Sequence, residues 1–157
     1  MSLPESVDVL IVGAGHVGLA MSSFLTEARR EHLVVERRDR LGGAWQDRWE
    51  EFALVTPNWT TSFPGWAYDG ADPDGFMSRA EVTARVARYA EVVGAPVALG
   101  TTVQRLTPAG HRGFRITTNR GQLNRSRSRG GNRELPYASH SATGEAHLRP
   151  GHSDPFT

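Results

Sequence analysis

The sequence predicts an α/β fold: a parallel βαβ unit, a small antiparallel appendage and a disordered C-terminal tail. Three observations lead to this prediction. Residues 7–12 form an apolar run rich in β-branched side chains, a helical stripe of apolar residues follows at once, and no valine or isoleucine occurs after Ile116. The chain has 157 residues, of which 38% are hydrophobic and 22% charged, so its length allows one sizeable core.

The βαβ unit lies at the start of the chain. The apolar run 7–12 ends at Gly13, as expected of a parallel strand that is buried on both faces. Between His16 and about Arg30, apolar residues recur at i, i+4, i+7, i+8 and i+11, which is the spacing of an amphipathic helix. Residues 32–36 then supply a second short apolar strand. A strand, a helix and a strand in this order predict a right-handed βαβ unit.

The middle of the chain predicts a structured loop followed by a second helix. Residues 37–77 contain all four tryptophans and show no clean periodicity. Ser78 and Glu81 have the spacing of a capping box, and Gly94 suits the end of the helix that begins there. Three of the tryptophans fit plain packing of the loop as well as any contact with a ligand: Trp49, Trp59 and Trp66.

The last part of the chain changes in composition. Residues 97–106 and 114–118 predict two antiparallel strands joined by a turn. Residues 120–157 are rich in Ser, His, Gly, Pro and Arg, and too poor in apolar groups to offset the entropy of ordering. We therefore expect a folded domain over residues 1–119 and a disordered tail over residues 120–157.

A shifted reading frame is one hypothesis for that tail. All basic residues of the chain are arginine, which suggests a GC-rich gene because lysine has only AT-rich codons. If each codon from Arg125 onward takes the last two bases of one residue and the first base of the next, the stretch from Arg127 to Ala142 permits A-V-V-V-A-T-G-N-Y-H-T-P-R-I-P. That solution begins as a buried strand.

The competing interpretation takes residues 125–131, Arg-Ser-Arg-Ser-Arg-Gly-Gly, as a basic arm that binds RNA. The segment is short and lacks interleaved aromatic residues. The net charge of the whole chain is only +1, so no overall field favours nucleic acid or an anionic membrane. We therefore expect no nucleic-acid partner and no membrane association.

The first turn has the pattern of a dinucleotide site. Residues 13–18, Gly-Ala-Gly-His-Val-Gly, match G-x-G-x-x-G between a strand and a helix. Gly13 permits the tight turn, Gly15 lets a pyrophosphate approach the backbone, and Gly18 allows the helix to pack closely on the strand. The helix N-terminus offers free amides to the phosphates. Glu36, at the end of the second strand, is placed to accept hydrogen bonds from an adenosine ribose. The glycine turn and Glu36 together predict a Rossmann-like dinucleotide-binding domain.

The choice of dinucleotide stays open at this turn. The carboxylate of Glu36 disfavours a 2′-phosphate on the ribose, yet Arg37 and Arg38 follow at once and could neutralise one. NADP is therefore not excluded by these residues alone.

Over residues 7–119, about three quarters of the chain, the sequence resembles the FAD-binding start of the flavin-containing monooxygenases and their bacterial flavoprotein relatives. Besides the glycine turn and Glu36-Arg37, the resemblance rests on residues 41–45 (Leu-Gly-Gly-Ala-Trp), 54–57 (Leu-Val-Thr-Pro) and 63–65 (Phe-Pro-Gly), followed by Phe76. The Gly-Gly-x-Trp segment after a ribose acid is its most specific part.

The resemblance implies a set of FAD contacts. Most of these contacts lie in the glycine turn and in the Gly-Gly-x-Trp segment: Gly13, Gly15, His16, Gly18, Glu36, Arg37, Gly43, Trp45 and Thr56. Among them, His16 would be a polar filler beside the phosphates rather than a base. No catalytic side chain, metal-ligand cluster or carboxylate pair stands out.

The resemblance also implies that the chain is incomplete. The family has a second glycine-rich turn for NADPH and an A-T-G segment on a core strand, and this sequence has neither, although the shifted frame permits the latter. We expect the intact parent to use FAD and NADPH to oxygenate a small organic substrate. Two alternatives stay open: an FAD- or NAD-dependent dehydrogenase without oxygenation, and an inactive truncated product.

Two further expectations concern the isolated chain. Its N-terminus is acidic rather than basic, and the apolar run 7–12 is too short for a signal segment or a membrane span, so we expect a cytoplasmic protein. Its oligomeric state is not readable from the sequence. With core strands missing, apolar surface on the first strand and first helix would lack partners, which predicts weak stability or aggregation.

Overall fold

The computed structural model describes residues 3–109 and 113–125. Within these ranges the chain forms seven strands, two α-helices and two short 3₁₀ helices. The strands are β1 (Ser6–Val7), β2 (Val9–Val12), β3 (His32–Val35), β4 (Val97–Ala98), β5 (Val103–Ala109), β6 (Gly113–Thr118) and β7 (Gly121–Arg125). The helices are α1 (His16–Glu27) and α2 (Arg79–Val92), with 3₁₀ helices at Gly43–Asp47 and Asn58–Thr61.

The predicted βαβ unit is confirmed. Strands β2, β3 and β4 form a parallel sheet in that order, with Leu10 opposite Leu33 and Val34 opposite Val97. Helix α1 connects β2 to β3 and packs on both. The apolar side chains of β3 are nearly inaccessible, as expected of a strand covered on both faces.

The predicted first strand is wrong in two respects. None of the residues Val9–Val12 is buried, so the strand is not covered on both faces, and the predicted run is split at Asp8 between two sheets. Val7 belongs to β1, which pairs with β7 in parallel, whereas Val9–Val12 pair with β3. Val7 is 3% exposed and packs with Ile116 and Leu123 of the second sheet. An apolar run that is interrupted by one polar residue can therefore serve two sheets when the backbone bends at that residue.

The second sheet has the order β1-β7-β6-β5. The antiparallel pairing of β5 with β6 was predicted and is confirmed, with Leu106 opposite Ile116. The boundary predicted at residue 119 is wrong for residues 120–125, because the chain turns at Gly121 (φ 121°) and forms β7, which pairs with β6 and β1. Leu123 is fully buried, so a single leucine between polar residues anchors this strand. The rest of the predicted tail, including the shifted frame and the RNA-binding alternative, lies outside the described residues.

The capping box at the start of α2 is confirmed. The Ser78 amide donates to Glu81 Oε2 at 2.8 Å, and the Glu81 amide donates to Ser78 Oγ at 3.3 Å. Hydrogen bonds from the Ser78 hydroxyl and amide lower the pKa of the Glu81 carboxyl. Gly94 follows the helix with φ 61°, the left-handed conformation that ends many helices.

The structured loop is held on α2 by Arg85. The guanidinium of Arg85 donates to the carbonyl oxygens of Thr61 and Ala67 and to Asp69 Oδ1, at 3.2, 2.8 and 2.9 Å. It also lies 4.1 Å from the ring centre of Trp66. Its side chain is only 8% exposed, and its hydrogen bond lowers the pKa of Asp69. Trp66 therefore has a packing role, as one of the two interpretations proposed.

Two apolar clusters lie on opposite faces of the parallel sheet. One joins that sheet to the second sheet, through Leu33, Val35 and Ile116. The other lies under the helices and contains Val34, Leu19 and Tyr89.

The expected uncovered apolar surface is present on β2 and α1, where four side chains are exposed by 44 to 66%: Val12, Val17, Met21 and Phe24. Neither helix among the described residues is long and apolar enough to cross a membrane.

Candidate dinucleotide-binding site

The glycine turn lies between β2 and α1. Gly13 has φ 100°, a left-handed conformation that favours glycine, and its amide donates to the carbonyl of Val35 at 2.8 Å. Gly15 is the N-cap of α1, and no side chain caps this helix. The first helical hydrogen bond runs from the Leu19 amide to the Gly15 carbonyl at 3.0 Å. The amides of the first turn are thus left without helical acceptors, which is the arrangement that binds anions.

Gly18 allows the close contact of helix and strand that the motif requires. A Cβ atom at this position would lie 2.0 Å from the Gly13 carbonyl oxygen and 3.3 Å from Ile11 Cγ2. Any side chain here would force α1 away from the turn. The structure therefore assigns Gly18 to packing.

Gly15 faces open space. A Cβ atom at this position would have no heavy atom within 4 Å, apart from the adjacent residues of the chain. Its φ of −79° is accessible to any residue, so the backbone conformation does not demand glycine here. A ligand group in front of the turn would compete for the space of that Cβ, and this is the space a pyrophosphate would occupy.

The Gly-Gly-x-Trp segment lies against the same turn. Gly43 has φ 61°, and a Cβ atom on it would lie 3.3 Å from Gly15 Cα. The rings of Trp45 and His16 are 5.2 Å apart and inclined at 53°. The structure thus brings together segments that are separated by 28 positions in the sequence (43 and 15).

Glu36 reaches the turn from the end of β3. Its side chain is buried, and Oε2 accepts a hydrogen bond from the Ala14 amide at 2.9 Å. Oε1 accepts from the Arg38 amide at 3.0 Å and lies 3.4 Å from Arg38 Nη1. Each carboxylate oxygen has two lone pairs, so the group retains acceptor capacity for a ribose hydroxyl.

Arg38 lies between two carboxylates. Besides Glu36, it forms an ion pair with Asp47 at the end of the 3₁₀ helix Gly43–Asp47. The hydrogen bond between them raises the pKa of the Arg38 guanidinium and lowers the pKa of the Asp47 carboxyl. Sequence analysis considered Arg38 only as a partner for a phosphate and did not predict Asp47. The residues differ by nine positions, and the only sequence signal for the pair was their opposite charge.

The remaining two predicted contacts lie at the surface. Arg37 is exposed beside Glu36. Thr56 is also exposed, and its hydroxyl accepts a hydrogen bond from Thr60 Oγ1 at 3.1 Å within the loop. Sequence analysis missed Gly42, which has φ 132° and whose Cβ would lie 2.4 Å from Thr83 Cγ2 of α2. The Gly-Gly pair in the sequence is the signal that could have found it, because Gly43 contacts the first turn and Gly42 contacts α2.

The fold is that of a Rossmann-like α/β domain, and its glycine turn has the geometry of a dinucleotide site. Residues 11–70 match the family described as an NAD(P)-binding Rossmann-like domain. Over 115 residues the chain is 36% identical to an uncharacterized CzcO-like oxidoreductase from Geobacillus kaustophilus, a match that covers 73% of this chain and 32% of that protein.

Solved structures point to the same class. A flavin-containing monooxygenase from Stenotrophomonas maltophilia is 32% identical with a TM-score of 0.70, over 77% of this chain and 36% of the other. OTEMO, in a complex with FAD and NADP, shares the fold at 20% identity and a TM-score of 0.64, over 78% and 25% of the two chains. The chain is thus similar to one part of flavoprotein oxidoreductases, and it spans about a third of the length of the first two relatives.

Proposed function

We propose that this chain is the FAD-binding portion of an NAD(P)H-dependent flavoprotein monooxygenase. The observation that carries the proposal is Glu36, a buried carboxylate that is held by the Ala14 amide at the edge of a glycine turn facing open space. In this arrangement the carboxylate accepts hydrogen bonds from an adenosine ribose, and the pyrophosphate lies against Gly15 and the first amides of α1.

The carboxylate of Glu36 favours FAD over NADP at this site. Glu36 is buried at the position where the ribose would bind, so its negative charge opposes a 2′-phosphate at hydrogen-bonding distance. The guanidinium of Arg38 is already paired with Glu36 and Asp47, whereas Arg37 is exposed. The similarity to a flavin-containing monooxygenase over 77% of this chain supports the same choice.

The residues of this chain contribute binding and orientation. The first turn and Glu36 would hold the ADP half, and Gly43 and Trp45, which lie against that turn, would border the cofactor there. Bound FAD supplies the redox chemistry that links NADPH to molecular oxygen. We assign the NADPH site and the pocket for a small organic substrate to the other two thirds of a full-length enzyme, and we place that enzyme in the cytoplasm.

Cofactor binding is tested by titrating the full chain with FAD and with NADP⁺ in calorimetry, together with a flavin measurement after desalting. We expect FAD to bind more tightly than NADP⁺, and Glu36→Gln to weaken FAD binding by about 10- to 100-fold, through the loss of a charge-assisted hydrogen bond. Tighter binding of NADP⁺ than of FAD would overturn the proposal.

Oxygenation is tested on the protein translated from the shifted frame after Arg125. With NADPH, a thioether or a cyclic ketone should yield an oxygenated product. Oxidation of NADPH with release of peroxide and no oxygenated product favours the dehydrogenase alternative. If the shifted reading frame contains an early stop codon, that protein cannot be made, and the FAD titration alone tests the proposal on this chain.

A further inference from the structure

Arg38 brings a positive charge to the ribose end of the candidate site. Its Nη1 atom lies 3.4 Å from Oε1 of Glu36, the carboxylate that we assign to the ribose hydroxyls. The main chain of Arg38 is fixed on both sides, because its amide donates to Glu36 Oε1 at 3.0 Å and its carbonyl accepts from the Gly100 amide at 2.7 Å. The guanidinium is therefore held beside the ribose position, with 20% of the side chain exposed.

A guanidinium at this position is a natural partner for a 2′-phosphate. Dinucleotide sites that accept NADP place an arginine near the ribose, and a phosphate is held best when two guanidinium nitrogens donate to it side by side. In this structure both terminal nitrogens of Arg38 already face carboxylates: Nη1 faces Glu36, and Nη2 donates to Asp47. A 2′-phosphate would therefore have to displace one of the two carboxylates.

The two carboxylates differ in how readily they could be displaced. Glu36 is buried and is held by an amide of the glycine turn. The side chain of Asp47 is 61% exposed, and its ion pair with Arg38 holds it in place. Asp47 ends the 3₁₀ helix Gly43–Asp47, whose first residue lies against Gly15, so the element that borders the turn also carries this carboxylate. Asp47 is thus the group that competes with a phosphate for Arg38.

We propose that Asp47 is a specificity-determining residue of this site, because it occupies Arg38 and so withholds that cation from a 2′-phosphate. The inference rests on the proposed function and adds a second determinant to Glu36. Glu36 accepts from the ribose hydroxyls, and Asp47 compensates the charge of the arginine next to them. An exposed ion pair is weak and is screened by salt, so the effect of Asp47 on affinity should be moderate and salt-dependent.

The test compares NAD⁺ with NADP⁺, which differ only in the 2′-phosphate, as competitors of FAD for the full chain. Asp47→Asn keeps the shape of the side chain and removes its charge. We expect this variant to lower the dissociation constant of NADP⁺ relative to that of NAD⁺ by at least about fivefold, and we expect the gain to shrink between about 0.05 M and about 0.5 M salt. Its affinity for FAD, which has no 2′-phosphate, should stay within about threefold of the wild type.

Two controls separate release of Arg38 from a general change of charge. Asp39→Asn removes the same charge one position after Arg38. Asp39 is exposed and forms no ion pair within residues 3–109 and 113–125, so the ratio of the two dissociation constants should change by less than about twofold. In an Arg38→Gln background, Asp47→Asn should also change the ratio by less than about twofold, because the cation that it would release is gone.

An unchanged ratio in Asp47→Asn, or an equal change in Asp39→Asn, would overturn the inference, and FAD binding by the wild type would leave the proposed function standing. A parallel loss of affinity for FAD, NAD⁺ and NADP⁺ in Asp47→Asn would also overturn it, because Asp47 would then serve the folding of the 3₁₀ helix rather than specificity. Wild-type protein that binds no FAD would instead refute the proposed function, and the inference with it.

Discussion

Substitution of two glycines in the first turn by alanine should separate packing from ligand binding. Gly18 and Gly15 lie three positions apart in the same motif, and each would acquire the same methyl group. At Gly18 that methyl group meets the Gly13 carbonyl oxygen, and at Gly15 it meets open space. The two variants should therefore fail in different ways, Gly18→Ala in folding and Gly15→Ala in cofactor binding.

The magnitude for Gly18→Ala follows from the contact. The Cβ to oxygen distance of 2.0 Å must grow to at least 3.0 Å, so α1 and the turn must separate by about 1 Å. Because the obstacle is backbone, overpacking costs about 3 kcal/mol, and the better helix propensity of alanine offsets about 1 kcal/mol. The net loss of about 2 kcal/mol corresponds to a fall of about 8 °C in the thermal midpoint of a domain of this size.

Gly15→Ala should leave folding nearly intact. Its φ of −79° suits alanine, and the change at an N-cap that lacks a side-chain hydrogen bond is within about 1 kcal/mol. The methyl group would keep phosphate oxygens from the amides of α1, and the loss of one or two charge-assisted hydrogen bonds weakens FAD binding by roughly 10- to 1,000-fold.

Circular dichroism melts and FAD titrations of both variants make the comparison. A Gly18→Ala protein with the wild-type midpoint would refute the close contact between helix and strand. A folded Gly15→Ala protein with wild-type affinity for FAD would show that the cofactor does not occupy the space in front of the turn.

Three further predictions concern the stability of the loop, the second helix and the site. Arg85→Lys should lower the free energy of unfolding by about 2 kcal/mol, because an ammonium group replaces a guanidinium that donates to three acceptors. The control, Arg88→Lys on the exposed side of the same helix, should change this free energy by less than about 0.5 kcal/mol. Equal urea midpoints for the two variants would contradict the role of Arg85. Ser78→Ala should cost about 1 kcal/mol at neutral pH through loss of the capping box, and wild-type protein measured under the same conditions is its reference. Since the folded-state pKa of Glu81 is lowered, its contribution is present above the unfolded pKa and disappears as the pH falls through the folded value, so the difference between wild type and Ser78→Ala in denaturant melts should shrink in acid; a difference that grows in acid would refute this. Glu36→Gln should retain the fold with a loss of about 1 to 3 kcal/mol in the free energy of unfolding, because the amide oxygen can still accept from Ala14 whereas the Arg38 amide loses its acceptor. FAD binding weakens as well. A loss of folding in the circular dichroism spectrum would assign Glu36 a structural role instead.

The candidate site was predictable from sequence as far as its motifs are local. The turn, the helix start and the capping box each depend on residues within a few positions, so spacing and residue type sufficed for Gly13, Gly18 and Ser78. The hydrogen bond from Ala14 to Glu36 and the ion pair of Arg38 with Asp47 join residues on different elements. Charge alone does not specify which of several arginines and carboxylates meet.

By itself, the sequence determined the βαβ unit, the dinucleotide turn and the position after which valine and isoleucine no longer occur, since hydrophobic periodicity and glycine conformation act over short distances. Only the tertiary structure decided that residues 7 and 9 belong to different sheets, and that Gly121–Arg125 form a strand anchored by Leu123. Strand pairing joins residues more than a hundred positions apart, such as Val7 and Arg125, and its free energy depends on partners that no local pattern contains.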